Sequence, residues 1–75
     1  MAIDEDLRKE TERWLAKIEE ERKKIGSGDD YIIKNIDAYI SDSRHFMEKG
    51  DLIRAFEAVV WSWAYIEIGR QKKLI

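Results

Sequence analysis

Phe46-Met47-Glu48-Lys49-Gly50-Asp51-Leu52-Ile53-Arg54-Ala55-Phe56-Glu57-Ala58 holds the end of one helix and the start of the next. Gly50 is the residue that most easily takes the left-handed conformation with which many helices close. Asp51 follows at once, and its short carboxylate suits the first free N–H groups of a new helix. A helix that stops and restarts across so few residues must turn back on itself. This stretch therefore predicts an antiparallel helix pair.

Working outward, the segment before this turn begins near Asp30, with Asp29 or Asp30 as its cap. Ile32, Ile36, Tyr39, Ile40, Ser43, Phe46 and Met47 recur along it at helical spacing, with Ile33 at the edge. The segment after the turn runs from Leu52 to about Lys73, where Arg70, Lys72 and Lys73 suit the negative end of the helix dipole. Its expected core stripe is Leu52, Phe56, Val59, Val60, Trp63 and Ile66. A second break, Gly26-Ser27-Gly28-Asp29-Asp30, sets off a first segment from Asp4 to Ile25. There Asp4 is the expected cap, and Leu7, Thr11, Trp14, Leu15, Ile18, Arg22 and Ile25 share one side. The opposite side is charged with both signs, as a solvated face is. The expectation is an all-α fold, an antiparallel up-down-up three-helix bundle. It forms a single domain over residues 1–75, with helices at about 4–25, 30–49 and 52–73.

Composition narrows the function classes. The chain has 75 residues, no cysteine and no proline, with 40% charged and 44% hydrophobic residues. Disulfides and thiolate metal sites are excluded, so stability must come from packing. A net charge of −2 argues against a nucleic-acid binder. The start, Met1-Ala2-Ile3-Asp4-Glu5-Asp6, lacks the basic and apolar regions of a signal peptide. The most apolar stretch, Ala55 to Ile66, is too short to cross a bilayer, which takes about 20 residues. A cytoplasmic protein is expected, with neither nucleic acid nor membrane as partner.

Tyr39 to Ile68 resembles a family of small uncharacterised archaeal helical proteins, the domain-of-unknown-function family three hundred and fifty-seven. Phe46-Met47-Glu48-Lys49-Gly50-Asp51 and Arg54-Ala55-Phe56-Glu57-Ala58 carry the resemblance, and Thr11-Glu12-Arg13-Trp14-Leu15 agrees loosely. The resemblance implies a three-helix fold and an archaeal source. It implies no catalytic residues.

Reactive constellations are scarce. His45 is the sole histidine. It points away from the apolar stripe of its helix, and it leaves neither a His-rich metal site nor a Cys/His nucleophile pair. Gly26-Ser27-Gly28 follows a helix, not a strand, and lacks the later glycine and lysine of a phosphate loop. No histidine follows Arg54 or Arg70, as it would in the helical HEPN ribonucleases. Asp4-Glu5-Asp6 and Asp29-Asp30 stand at helix starts, where carboxylates cap and the dipole repels cations. No enzyme, metal or cofactor is expected.

Two features suggest function. Trp61, Tyr65 and Ile68 fall on the side of the third helix opposite Phe56, Val59 and Trp63, flanked by Ala58 and Ala64. Such a ridge marks an interaction surface, most simply of a homodimer, or of a complex with another helical protein. The competing reading wedges this helix between the other two and buries the ridge. The second feature is Glu67, one turn beyond Trp63. Parallel first and third helices would bring it near Arg22, as an ion pair or as a polar pocket with Asn35. The expected function is a non-catalytic interaction module that associates through the outer face of the third helix. The alternative is a bundle that binds a small molecule or cation at the start of the second helix.

Overall fold

The computed structural model describes residues 2–75; Met1, the first residue of the expected domain, lies outside them. Three helices follow in order: α1 (Ala2–Lys23), α2 (Asp30–Glu48) and α3 (Leu52–Gln71). They form an antiparallel up-down-up bundle measuring 42 × 17 × 16 Å, and no strand occurs among the described residues. α2 and α3 pack most closely, with α1 laid along the pair.

α1 begins earlier than expected, at Ala2. Asp4 is therefore not the cap but lies with Glu5 in the first turn, where both face the positive end of the dipole. At the other end the coil tightens. The N–H groups of Lys24 and Ile25 donate to the carbonyls of Glu21 and Arg22, both at 3.1 Å. That turn delivers Ile25 to the core.

The α2–α3 connection forms as its residues dictate. Gly50 takes φ 76°, Asp51 N–H donates to Phe46 O at 2.9 Å, and Gly50 N–H donates to Met47 O at 3.1 Å. The Asp51 carboxylate then accepts from Arg54 N–H at 3.2 Å. One residue thus completes the closure of α2 and caps α3. At the start of α2, Asp29 accepts from Ile32 N–H at 3.0 Å.

α3 closes in the same way, but with Lys73 in the left-handed position at φ 58°. Leu74 N–H donates to Gly69 O at 2.7 Å, and Lys73 N–H donates to Arg70 O at 3.1 Å. This sends the last two residues back over the end of the bundle. Asp29 N–H donates to Leu74 O at 2.8 Å, and Ile75 packs against the core. Gly28 permits this approach, because a Cβ there would stand 2.4 Å from Leu74 O.

The core is built on Ile18, Ile25, Ile32, Ile36, Ile40, Val59 and Ile66. The stripes of α1 and α2 lie where the periodicity puts them, with Thr11 and Ser43 also fully buried. α3 is rotated from the expected stripe. Its buried face is Ala55, Ala58, Val59, Ser62, Ile66 and Gly69. Val60, expected in the core, is half exposed, while Leu52, Phe56 and Trp63 are only partly covered. The physical reason is close approach. Small side chains let α3 sit tight against α2, and its large side chains are displaced to the two flanks of the contact. Ser43 and Ser62 cross this seam. Their hydroxyls donate to Ala55 O at 2.8 Å and to Ile36 O at 3.1 Å.

Candidate functional site

The rotation of α3 leaves an apolar face outward. Ile53, Val60, Trp61 and Ile68 stay 68%, 50%, 54% and 47% exposed. At about 100° per residue these four share one side, with Ala64 on its midline and Glu57 as the central charge. The ridge expected of Trp61, Tyr65 and Ile68 is thus redrawn. Trp61 and Ile68 belong to it, and Val60 and Ile53 join them. Tyr65 is partly buried, because it turns toward α2, and Ala58 lies in the core.

Both flanks of the face carry aromatic clusters. On the α2 side Tyr65 stacks on Tyr39 at 5.9 Å, Tyr39 stacks on Trp61 at 6.2 Å, and Tyr31 meets Tyr65 edge-on at 6.3 Å. Trp61 is held by its inner face and keeps its outer edge in solvent. On the α1 side Trp14 and Trp63 meet at 6.0 Å, and Lys17 Nζ lies 4.9 Å from the Trp14 ring and 5.7 Å from the Trp63 ring. Trp14 Nε1–H donates to Glu10 at 2.9 Å, so the indole is fixed. Between Trp14, Phe56, Val59, Val60 and Trp63 lies a hollow of about 200 Å³ whose wall is almost wholly apolar.

The polar pair resolves differently from the expectation. Arg22 does not pair with Glu67. Its guanidinium grips Asp37 of α2, with Nε–Oδ1 at 2.6 Å and Nη2–Oδ2 at 3.1 Å, and Nη1 also donates to Ile25 O at 3.2 Å. The Asp37 hydrogen bond raises the pKa of Arg22 above its ordinary value against the opposing effect of burial. Among the described residues Glu67 makes no ion pair. Arg70, one turn nearer the end of α3, reaches α1 instead and meets Glu21 at 2.9 Å. Asn35 donates to Tyr31 O within its own helix and closes no pocket with Arg22. The α1–α2 groove is a chain of satisfied ions, since Arg44 also meets Glu19 at 2.5 Å.

Among the described residues no three His, Cys, Asp or Glu side chains gather as a metal would need, and Asp29 at the start of α2 is engaged as a cap. Every buried side-chain nitrogen and oxygen among them has a hydrogen-bond partner. No helix is long and apolar enough to cross a membrane. His45 is exposed in the last turn of α2.

Residues 8–75 match the model of the family described as "Protein of unknown function (DUF357)". The chain belongs to this family. It is similar to the crystal structure of protein AF1782 from Archaeoglobus fulgidus, a family member. The two share 56% identity and a TM-score of 0.90, over 96% of this chain and 93% of that one. The resemblance read from the α2–α3 turn is thus the correct one, and its archaeal character is that of this neighbour. No protein with a curated description matches the chain.

The periodicity of α3 gave no warning of its rotation. A helix apolar on nearly all sides has no preferred phase, and small residues contribute little to a hydropathy pattern. The one available signal was the row Ala55, Ala58, Ser62 and Gly69, whose spacing marks a line of close approach.

Proposed function

We propose that the protein is a non-catalytic association module that pairs with a second copy of itself through the outer face of α3. The observation that carries this reading is the exposure of Ile53, Val60, Trp61 and Ile68 along one line of one helix. Soluble monomers seldom present such a row to water, and a rigid indole at its centre is a typical interface anchor. A helix apolar on all sides is ordinarily covered on all sides. α1 and α2 cover two flanks, and a third layer is wanted on the outside.

A second copy is the simplest source of that layer, because a two-fold axis lets one patch cover itself. A bundle of this size also gains stability from any apolar surface it buries in a partner. Sedimentation equilibrium tests the reading. The wild type should show the mass of a dimer at high concentration and a monomer on dilution, whereas Trp61→Glu and Ile68→Glu should remain monomeric throughout. A wild type that stays monomeric at millimolar concentration defeats the proposal.

A further inference from the structure

Resting on self-association through α3, the geometry points to a specific pairing: Trp61 of each copy seats in the apolar hollow of the other, with the two α3 helices side by side and parallel. We infer a mutual knob and hole, not a flat contact of two ridges.

The knob and the hole lie on opposite flanks of one helix at the same level. Trp61 projects from the flank that faces α2, where it is stacked on Tyr39. The hollow opens on the flank that faces α1, between Trp14, Phe56, Val60 and Trp63. Val60 and Trp63 are within a turn of Trp61 along the axis. A two-fold axis parallel to α3 brings the α2 flank of one copy against the α1 flank of the other without a change of level. It therefore delivers each Trp61 to the partner's hollow, twice. A two-fold axis perpendicular to α3 reverses direction and sets like flank against like flank. Then Trp61 faces Trp61, and both hollows stay empty.

Charge favours the same arrangement. On its own edge Trp61 shares its surroundings with Asp42, while Glu57 sits on the midline of the face, where the two copies of it meet near the axis. The hollow is rimmed by the Lys17 ammonium over its two indoles. Parallel seating places that ammonium beside the Asp42 carboxylate of the other copy. Lower on the same edges, Arg54 lies on the Trp61 flank, and Glu10, bonded to the Trp14 indole, lies on the hollow's flank. Those opposite charges also come level. Complementary edges of this kind fix register more than they add affinity. Ala64, on the midline of the exposed face, is small enough to let two helices approach.

The absence of native cysteine makes a direct test possible. In the parallel pairing position 64 lies close to the axis, so Ala64→Cys should form a disulfide with itself on mild oxidation. In the antiparallel pairing centred between Val60 and Trp61, position 64 faces position 57. Only a mixture of Ala64→Cys with Glu57→Cys would then cross-link. Fluorine NMR of 5-fluorotryptophan protein gives a second reading without cross-linking. On raising the concentration, the Trp61 signal and the Trp14 and Trp63 signals should shift together. Trp61→Ala should abolish the shifts of the other two while leaving the helical circular dichroism intact. A concentration-dependent dimer that joins 64 only to 57, or whose Trp14 and Trp63 signals stay fixed, overturns the knob-and-hole pairing and leaves self-association standing. A protein with no dimer at any concentration overturns both.

Discussion

The hydroxyl of Ser62 on α3 donates to the backbone carbonyl of Ile36 on α2 at 3.1 Å, and no part of Ser62 reaches solvent. Nearer the α2–α3 turn, Ser43 makes a second such link by donating to the Ala55 carbonyl. The carbonyls concerned also accept within their own helix, so they stay satisfied if the hydroxyl is removed. Ser62→Ala should therefore cost only about 0.5–1.5 kcal/mol, the net worth of a hydrogen bond. Ser62→Leu should cost more, about 1–3 kcal/mol or above, because the seam has no room for it. Urea denaturation of both variants checks the order. A Ser62→Leu protein as stable as wild type would show that the seam is loose.

Gly28 and Lys73 control the end of the bundle from opposite sides. Gly28→Ala should destabilise, since its Cβ would stand 2.4 Å from Leu74 O and break the approach that lets Asp29 N–H reach that carbonyl. Lys73→Gly should stabilise. A residue with a Cβ in the left-handed region costs about 1–2 kcal/mol, and part of this returns as the flexibility that glycine adds to the unfolded chain. The net rise should be under about 1 kcal/mol. Thermal melts of the two variants should move in opposite directions, and a common direction would refute this account of the terminus.

Legibility followed from how strongly each signal was phased. Gly50 and Asp51 were readable because closure and capping demand those side chains. The faces of α1 and α2 were readable because isoleucines alternate with charges. α3 was not, since Val60, Trp61 and Trp63 are all large and apolar, and only the tertiary seam decides which is covered. The Trp61 and Ile68 surface was legible as an excess of apolar residues; the hollow beside it was not, because it takes Trp14 from another helix to form it. The Arg22 partner was missed for a related reason. Levels along α1 and α3 could be counted from the sequence, but the rotation that turns Arg22 toward Asp37 of α2 could not.

That reassignment has a direct consequence. In a double-mutant cycle, Arg22→Ala and Asp37→Ala should couple by about 0.5 kcal/mol, a value kept small by solvent at the half-exposed carboxylate. Raising the salt concentration should shrink it. Arg22→Ala and Glu67→Ala should be additive. Coupling to Glu67 larger than to Asp37 would restore the pairing read from the sequence.

Acid should loosen α1 from α3 through Glu21. Its hydrogen bonds with Lys24 and Arg70 hold its pKa below the ordinary value of 4.5. The unfolded chain therefore binds the proton more readily than the folded one as pH falls. The sign follows: the contribution of Glu21 is complete above 4.5 and is lost as pH drops below that value through the lowered folded pKa. Glu10, lowered by Arg13 and by the Trp14 indole, acts in the same direction. Between neutral pH and the acid limb, the melting temperature of wild type should fall further than that of Glu21→Gln. Arg70→Ala should flatten the wild-type curve in part, because Lys24 remains on Glu21. A Glu21→Gln protein with the full wild-type acid sensitivity would place the responsible carboxylate elsewhere on the bundle.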